Sequence, residues 1–144
     1  MITATCTIKK RESKKKLFID IFIQRTSKKV FRMGSSSFWI NFSKDTLTNP
    51  VLTFFKKIYS SGDYRAPKLL TPANNRMIGI QMFIKDFGFD GMVHNGNVVA
   101  LSKQRLATIS FDKISDTEIK WNTVDSGIAT PGFLLAKTKW EISK

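Results

Sequence analysis

Apolar and polar residues alternate along most of the chain, with the two-residue period that places them on opposite faces of a β-strand. Near the N-terminus, for example, Ile2, Ala4, Cys6 and Ile8 share one face. No segment of ten or more residues keeps the 3.6-residue period of a helix. The pattern predicts about nine short strands, at residues 2–8, 17–24, 38–42, 51–55, 77–85, 98–102, 105–111, 118–122 and 134–142. Such strands are typical of a sandwich or jelly roll, so we predict an all-β fold.

Turn-forming residues separate the predicted strands. The polar stretch Lys9–Lys16 ends the first strand, and residues 59–76, with two of the four prolines, predict a long irregular crossing. Asn95-Gly96 is the strongest signal for a tight turn. A length of 144 residues suits one domain, and neither an internal repeat nor a low-complexity linker divides the chain. We therefore predict a single β-sandwich domain over residues 1–144.

Cysteine and histidine usage excludes several kinds of site. Cys6 is the only cysteine and His94 the only histidine, so an internal disulfide, a multi-cysteine zinc site and a multi-histidine metal centre are excluded. Cys6 alternates in phase with apolar residues, which predicts a buried, unreactive thiol. His94, beside Asn95-Gly96, is predicted to be an exposed turn residue. The carboxylates show no recognisable pairing, so we predict no enzymatic activity, no metal and no cofactor.

The glycine-rich segment around residues 86–96 leaves one alternative open. Asp86, Asp90 and Asn95 offer oxygen ligands of the kind that Ca²⁺ prefers, although their spacing does not fit an EF-hand. A plain turn explains the same residues, and this interpretation is favoured.

The chain is strongly basic, and the charge is unevenly placed. The formal net charge is +13, and residues 1–85 hold 17 of the 24 basic residues but 4 of the 11 acidic ones. The whole positive surplus therefore lies in this first part of the chain. A one-sided positive field favours an anionic partner, such as nucleic acid, an acidic polysaccharide, lipid headgroups or an acidic protein.

Basic residues in two predicted loops form a candidate binding patch: Lys9, Lys10, Arg11, Lys14, Lys15, Lys16, Lys28, Lys29 and Arg32. If both loops lie at one end of the sandwich, the patch is large enough to bind a polyanion. The alternative is a solvated hairpin tip, at which lysines discourage edge-to-edge aggregation. No aromatic residue is interleaved with these lysines along the sequence, which argues against single-stranded nucleic acid.

The N-terminal strand is a second candidate for contact. It is terminal, rich in Thr and Ile, and uncharged until Lys9, which predicts an edge strand with unpaired backbone groups. Such a strand can pair with another chain. The residues expected to take part are Ile2, Thr3, Thr5 and Thr7.

The tryptophans admit two interpretations. Trp39, Trp121 and Trp140 could form a platform for stacking carbohydrate, but large aromatic residues in a sandwich more often belong to its core, and we favour the core. Trp39 is the best candidate for exposure, because it lies opposite the face that carries Phe38, Ile40 and Phe42.

Two longer stretches carry a family resemblance. Within residues 17–52 the matching features are the Asp20 strand, Gln24–Ser27, the Gly34–Phe38 turn into a strand, and Asn41-Phe42 leading to Leu47–Pro50. Within residues 105–123 a basic residue precedes an alternating Ile-x-Phe pair, and Trp121-Asn122 follows; Thr138–Trp140 would form the closing strand. Together these features resemble the cohesin-like β-sandwich module of bacterial cell-surface and secreted proteins, many of which leave the cell by the type IX route.

The resemblance implies a non-catalytic module that binds a protein partner or acts as a structural spacer. We therefore expect an extracellular or cell-surface module for protein–protein contact, adhesion or assembly into a larger surface structure, with a protein partner or with copies of itself. The alternative, which follows from the charge, is a basic binding protein for nucleic acid or an anionic polysaccharide.

Membrane and export signals are not visible in the sequence. No apolar run reaches the length of about 20 residues that spans a bilayer. Residues 1–16 lack the apolar core of a signal peptide. We therefore expect either an intracellular protein or a processed or excised piece of a longer exported one.

Overall fold

A computed structural model describes residues 1–85 and 96–143. Within these residues the chain forms nine β-strands and a short 3₁₀ helix at Lys57–Tyr59. The strands are β1 (Thr3–Glu12), β2 (Lys16–Arg25), β3 (Ser36–Asn41), β4 (Leu47–Phe55), β5 (Lys68–Leu70), β6 (Met77–Met82), β7 (Gln104–Lys113), β8 (Lys120–Trp121) and β9 (Lys137–Ile142).

The strands form two sheets. The five-stranded sheet has the order β4-β7-β2-β1-β9, and the four-stranded sheet has the order β5-β6-β3-β8. β1 and β9 run parallel, whereas the other strand pairs of the described residues run antiparallel. The prediction of an all-β sandwich with about nine strands is confirmed.

Two segments differ from their predicted structure. Residues 98–102 form no strand; Val98 makes one isolated bridge with Arg32, because this segment bonds to the end of β2 and to the loop after it. Residues 59–76, predicted to be irregular, contain β5, which pairs with β6. A strand of three residues is too short to show an alternating pattern.

The first hairpin is longer than its sequence predicts. β1 continues to Glu12, because β2 offers a pairing partner at each position from Lys9, opposite Asp20, to Glu12, opposite Leu17. Five of the eight residues of the basic stretch predicted as a loop are therefore strand, and only residues 13–15 connect the two strands. As a result, Lys9 and Arg11 project from a sheet face rather than from a hairpin tip.

The core lies between the inner faces of the two sheets, where the alternation predicted the apolar residues. Aromatic pairs join the sheets: the ring centroids of Phe42 and Phe111 are 6.0 Å apart, and those of Phe38 and Trp140 are 6.4 Å apart. The core strands contribute these further buried residues: Ala4, Ile8, Leu17, Ile19, Ile21, Ile23, Ile40, Leu47, Ile78, Ile80, Met82, Leu106, Ala107 and Ile109. Among the described residues, every buried side-chain nitrogen or oxygen atom has a hydrogen-bond partner.

Cys6 lies in this core, fully buried, as its place in the alternation predicted. Burial raises the pKa of the Cys6 thiol far above its ordinary value, because the thiolate would lose its hydration. We expect Ellman's reagent to leave the native protein unlabelled and to label one thiol per chain after unfolding in guanidinium chloride. Rapid labelling of the native protein would contradict the burial of Cys6.

Ile40→Ala tests the packing between the sheets. Ile40 is fully buried on the inner face of β3, so its truncation should lower the free energy of unfolding by about 2–5 kcal/mol, measured by urea denaturation. Ile21→Ala and Phe42→Ala should fall in the same range, because both side chains are buried in the same core. Val124→Ala is the matched control: Val124 is 90% exposed, and its change should stay within about 0.5 kcal/mol. Similar effects at Ile40 and Val124 would show that the inner face is wrongly assigned.

Candidate functional site

The predicted basic residues do not form one patch. Lys9–Lys16 lies at one end of the β1–β2 hairpin, whereas Lys28 and Lys29 lie in the loop after β2. The ten residues of β2 separate these groups by about 33 Å, at the usual rise of a strand. Arg32 lies with the second group, where its guanidinium donates a hydrogen bond to the Gly96 carbonyl at 2.8 Å. The condition for a joint patch is therefore not met, because the two loops lie at opposite ends of one strand.

The outer face of the five-stranded sheet instead collects basic residues from several strands. The register places Lys9 and Arg11 of β1 beside Phe18, Asp20 and Phe22 of β2. Other strands add Lys16, Thr48, Val51, Phe54, Arg105, Thr108, Ser110, Asp112, Lys137, Lys139 and Glu141. Lys103, just before β7, reaches the same surface. We call this surface the cationic face.

Asp20 lies at the centre of the cationic face. Its carboxylate is 6% exposed and accepts hydrogen bonds from Arg11 Nε at 2.6 Å, from Arg11 Nη2 at 3.0 Å and from Thr108 Oγ1 at 2.6 Å. Arg105 Nη1 lies 4.0 Å from the same carboxylate. The Arg11 hydrogen bonds, helped by Thr108, hold the pKa of Asp20 below its ordinary value and outweigh the opposing effect of burial. The two-pronged contact holds the Arg11 guanidinium in one orientation.

Three phenylalanines of the cationic face each carry a cation over the ring. The distances from cation to ring centroid are 3.9 Å for Arg105 over Phe54, 4.9 Å for Arg11 over Phe18, and 5.1 Å for Lys103 over Phe22. Each such pair contributes about 0.5–1 kcal/mol at an exposed site. The ring restrains the cation, and the cation covers an apolar surface that would otherwise face water.

Sequence inspection missed this interleaving of cations and rings. The cations over the β2 phenylalanines come from β1 and from the segment before β7, which are far apart in sequence. One local signal was present: Phe18 and Phe22 occupy the side of β2 opposite its four apolar residues. An aromatic residue on the solvent side of a strand indicates that another side chain or a partner covers its ring.

The N-terminal strand is not an edge strand. β1 pairs with β2 on one side and, from Thr3 to Ile8, with β9 on the other, so the backbone groups of this first part of the strand are bonded within the sheet. Ile2 and Thr7 are buried, and the hydroxyl groups of Thr3 and Thr26 lie 2.7 Å apart. The prediction that Ile2, Thr3, Thr5 and Thr7 make contact as part of an edge strand is therefore wrong. β9 covers β1, and a parallel pairing with a strand from the other end of the chain cannot be deduced from β1 itself.

The outer face of the four-stranded sheet has a different character. It is formed by Ser37, Trp39 and Asn41 of β3, Met77, Gly79 and Gln81 of β6, and Lys68 and Leu70 of β5. We call it the Trp39 face. Trp39 pairs directly with Gly79, and a Cβ atom on Gly79 would lie 2.5–2.6 Å from three atoms of the indole. These near-equal distances show that the ring lies flat over the glycine.

The three tryptophans therefore divide as the sequence predicted. Trp121 and Trp140 pack together in the core with their ring centroids 4.8 Å apart, and Trp121 Nε1 donates to the Glu141 carbonyl at 2.8 Å. Trp39 is partly exposed on the outer side of β3. The signal for its role was its phase, opposite Phe38 and Ile40, but the supporting Gly79 could not be identified without the register.

Within residues 1–85 and 96–143, no group of three His, Cys, Asp or Glu residues could hold a metal ion. No helix in the same two ranges is long and apolar enough to cross a membrane. The candidate calcium ligands Asp86, Asp90 and Asn95, together with His94, lie outside the described residues.

Asp20→Asn tests the ion network at the centre of the cationic face. Because folding lowers the pKa of Asp20, its carboxylate contributes stability at neutral pH that is lost as the pH falls through the folded-state pKa. We expect Asp20→Asn to lower the free energy of unfolding at pH 7 by about 1–2 kcal/mol, since Arg11 is half exposed and solvent screens the pair. The variant should also lose less stability than the wild type between about pH 5 and pH 2. Urea denaturation at several pH values measures both effects.

Asp112→Asn is the matched control for Asp20→Asn. Asp112 pairs with Lys16 on the same face, but its carboxylate is much more exposed than that of Asp20. The control should therefore change stability less than Asp20→Asn does. An equal loss in both variants would contradict the central role of Asp20.

Solved structures of cohesin modules share this architecture. The second type II cohesin module of the ScaA scaffoldin of Acetivibrio cellulolyticus aligns with a TM-score of 0.61 and 9% identity over 99% of this chain and 93% of that chain. A chain of the Coh-OlpC–Doc435 complex of Clostridium thermocellum gives 0.62 and 9%, over 99% and 94%. The third ScaC cohesin, solved with the ScaB dockerin of Acetivibrio cellulolyticus, gives 0.64 and 12%, over 99% and 98%.

Neither a family model nor a curated protein matches the sequence. At identities of 9–12%, the similarity to the solved structures concerns the fold alone. The cohesin-like resemblance of the sequence is confirmed at that level: the chain has the fold of a cohesin module.

Proposed function

We propose that residues 1–144 form a single, non-enzymatic module that binds another protein through the Trp39 face. The observation that carries the proposal is the indole of Trp39, which lies flat over Gly79 on the outer side of the four-stranded sheet. An indole held in this way presents a rigid apolar surface. Tryptophan is among the residues most enriched at the energetic centres of protein interfaces.

The surroundings of Trp39 also suit a protein contact. Leu70 and Met77 lie on the same face and are partly exposed, whereas Lys68 and Asn41 are exposed at its margins. An apolar centre with a polar rim is the usual arrangement of a protein interface. The face also lacks the density of charge found on the opposite sheet, so affinity there would depend mainly on apolar burial.

The similar structures support a folded protein as the partner. One of them is a complex of Coh-OlpC with Doc435, and another is a complex of a ScaC cohesin with the ScaB dockerin. We propose a contact of the same general kind for this chain, between the sandwich and a separate protein module.

We propose that the module acts outside the cell, on a secreted or surface-bound protein, where it supports adhesion or the assembly of a larger structure. Its support is the resemblance of residues 17–52 and 105–123 to modules of bacterial surface proteins, which include proteins exported by the type IX route. Fractionation of the producing cells, followed by immunodetection, tests this location.

Photo-crosslinking tests which face makes the contact. A photoreactive benzoylphenylalanine at Gln81 would lie on the Trp39 face, and one at Ser110 would lie on the cationic face as the matched control. In the cells that produce the protein, we expect a discrete protein adduct from Gln81 and none from Ser110. Adducts from Ser110 alone would contradict the assignment of the face. An adduct of twice the chain's mass would identify the partner as a second copy.

Trp39→Ala and Gly79→Val then measure the role of the indole. Trp39→Ala removes it, and Gly79→Val pushes it away from the sheet, because any Cβ at that position meets the ring. With the purified partner, we expect each variant to raise the dissociation constant at least about 30-fold, the effect of losing a residue worth about 2 kcal/mol. Phe54→Ala, on the opposite face, should change it less than threefold. Equal losses in Trp39→Ala and Phe54→Ala would contradict the proposal.

A further inference from the structure

We infer that the cationic face is a binding surface for an acidic polysaccharide, separate from the Trp39 face on the other side of the sandwich. The inference does not depend on the protein partner proposed above. Three features of the described residues carry it: cations without acidic partners, arginines restrained before binding, and hydroxyl groups between them.

The acidic residues of the cationic face are already paired. Asp20, Asp112 and Glu141 each form an ion pair with a basic residue of the same face. Over the described parts of the chain, three further cations of the face form no ion pair with an acidic side chain: Lys9, Lys103 and Lys137. A surface with this imbalance attracts anions from solution.

The hairpin tip extends the positive field at one end of the face. Lys14 and Lys15 are exposed and form no ion pair within residues 1–85 and 96–143. Because β1 continues to Glu12, these lysines lie at the end of the strand that carries Lys9 and Arg11. A long anionic polymer on the sheet would therefore meet further cations beyond its edge.

Two arginines of the face are restrained before any ligand binds. Arg11 is held by Asp20 and lies over Phe18, and Arg105 lies over Phe54. Their side chains are nevertheless 50% and 42% exposed, so N–H groups remain open to an incoming anion. A side chain that is ordered in advance loses less conformational entropy on binding.

The chemistry of the face favours a sugar polymer over a single-stranded nucleic acid. Single-stranded nucleic acids bind by stacking their bases on aromatic rings, but cations already cover the three phenylalanine rings of this face. Hydroxyl groups of Thr5, Thr48 and Ser110 lie among the cations. They can donate to and accept from the hydroxyl groups of a sugar. A polymer with both hydroxyl and carboxylate or sulfate groups complements both features.

The shape of the face suits an extended chain. Basic residues run from Lys137 and Lys139 on β9, past Lys9 and Arg11 on β1, to Arg105 on β7. β9 and β7 are three strand spacings apart in the sheet, or about 14 Å. By the register, Lys9 lies four residues farther along the strand direction than Lys139, so a ligand that contacts several of these cations at once lies diagonally over the face.

Titration calorimetry with polygalacturonate, which carries carboxylates, and heparin, which carries sulfates as well, tests the inference. We expect at least one of them to bind, with an affinity that falls steeply between about 50 and 200 mM salt, and uncharged dextran not to bind. The triple variant Lys9→Gln/Lys103→Gln/Arg105→Gln should weaken that binding at least tenfold and reduce its dependence on salt. Circular dichroism and thermal unfolding establish that the variant is folded.

A second triple variant separates the face from the net charge. Lys28→Gln/Lys29→Gln/Lys44→Gln removes the same charge from exposed positions outside the cationic face, and it should weaken binding less than threefold. Equal losses in the two variants, or no binding of either polysaccharide, would overturn the inference. Tighter binding of a single-stranded dT20 oligonucleotide would overturn the choice of polymer. Trp39→Ala should bind polysaccharide like the wild type, so failure of the protein contact would leave this result intact.

Discussion

Burial of one face of each sheet against the other is the constraint on which the rest of the structure depends. It requires an apolar side chain at every second position of the strands, and β2 meets it with Leu17, Ile19, Ile21 and Ile23, each buried. The same constraint leaves the intervening positions free. Each long strand therefore contributes side chains to the core and to an outer surface. A substitution on the outer surface can leave the core side chains unchanged.

The two outer surfaces of this molecule carry different kinds of residue at these intervening positions. On β3, the buried Ile40 is followed by Asn41 and preceded by Trp39, which rests on Gly79 and forms a largely uncharged surface. On β1, the buried Ile8 is followed directly by Lys9. The two faces are separated by the thickness of the core, so the positive field of one has little influence on contacts at the other.

The sequence predicted what depends on neighbouring residues and missed what depends on strand order. The alternation identified the fold class, the buried Cys6 and the outward position of Trp39, because each follows from the phase of a single strand. The interior position of β1 could not be predicted, since it depends on parallel pairing with β9. The contact between the Trp39 indole and Gly79 depends likewise on the register of β3 against β6. The Asp20 network joins β1, β2 and β7, and no local pattern links their charges.

The parallel pairing of β1 and β9 has a mechanical consequence. The ladder from Thr3, opposite Lys137, to Ile8, opposite Ile142, sets the start of β1 and the end of β9 at opposite ends of this ladder. Tension applied between Thr3 and Ile142 would pull the two strands past each other along their axes. All the hydrogen bonds of the ladder would then bear the load together, instead of opening one after another as they do when antiparallel ends are peeled apart. The sandwich is therefore built to resist stretching along its strands.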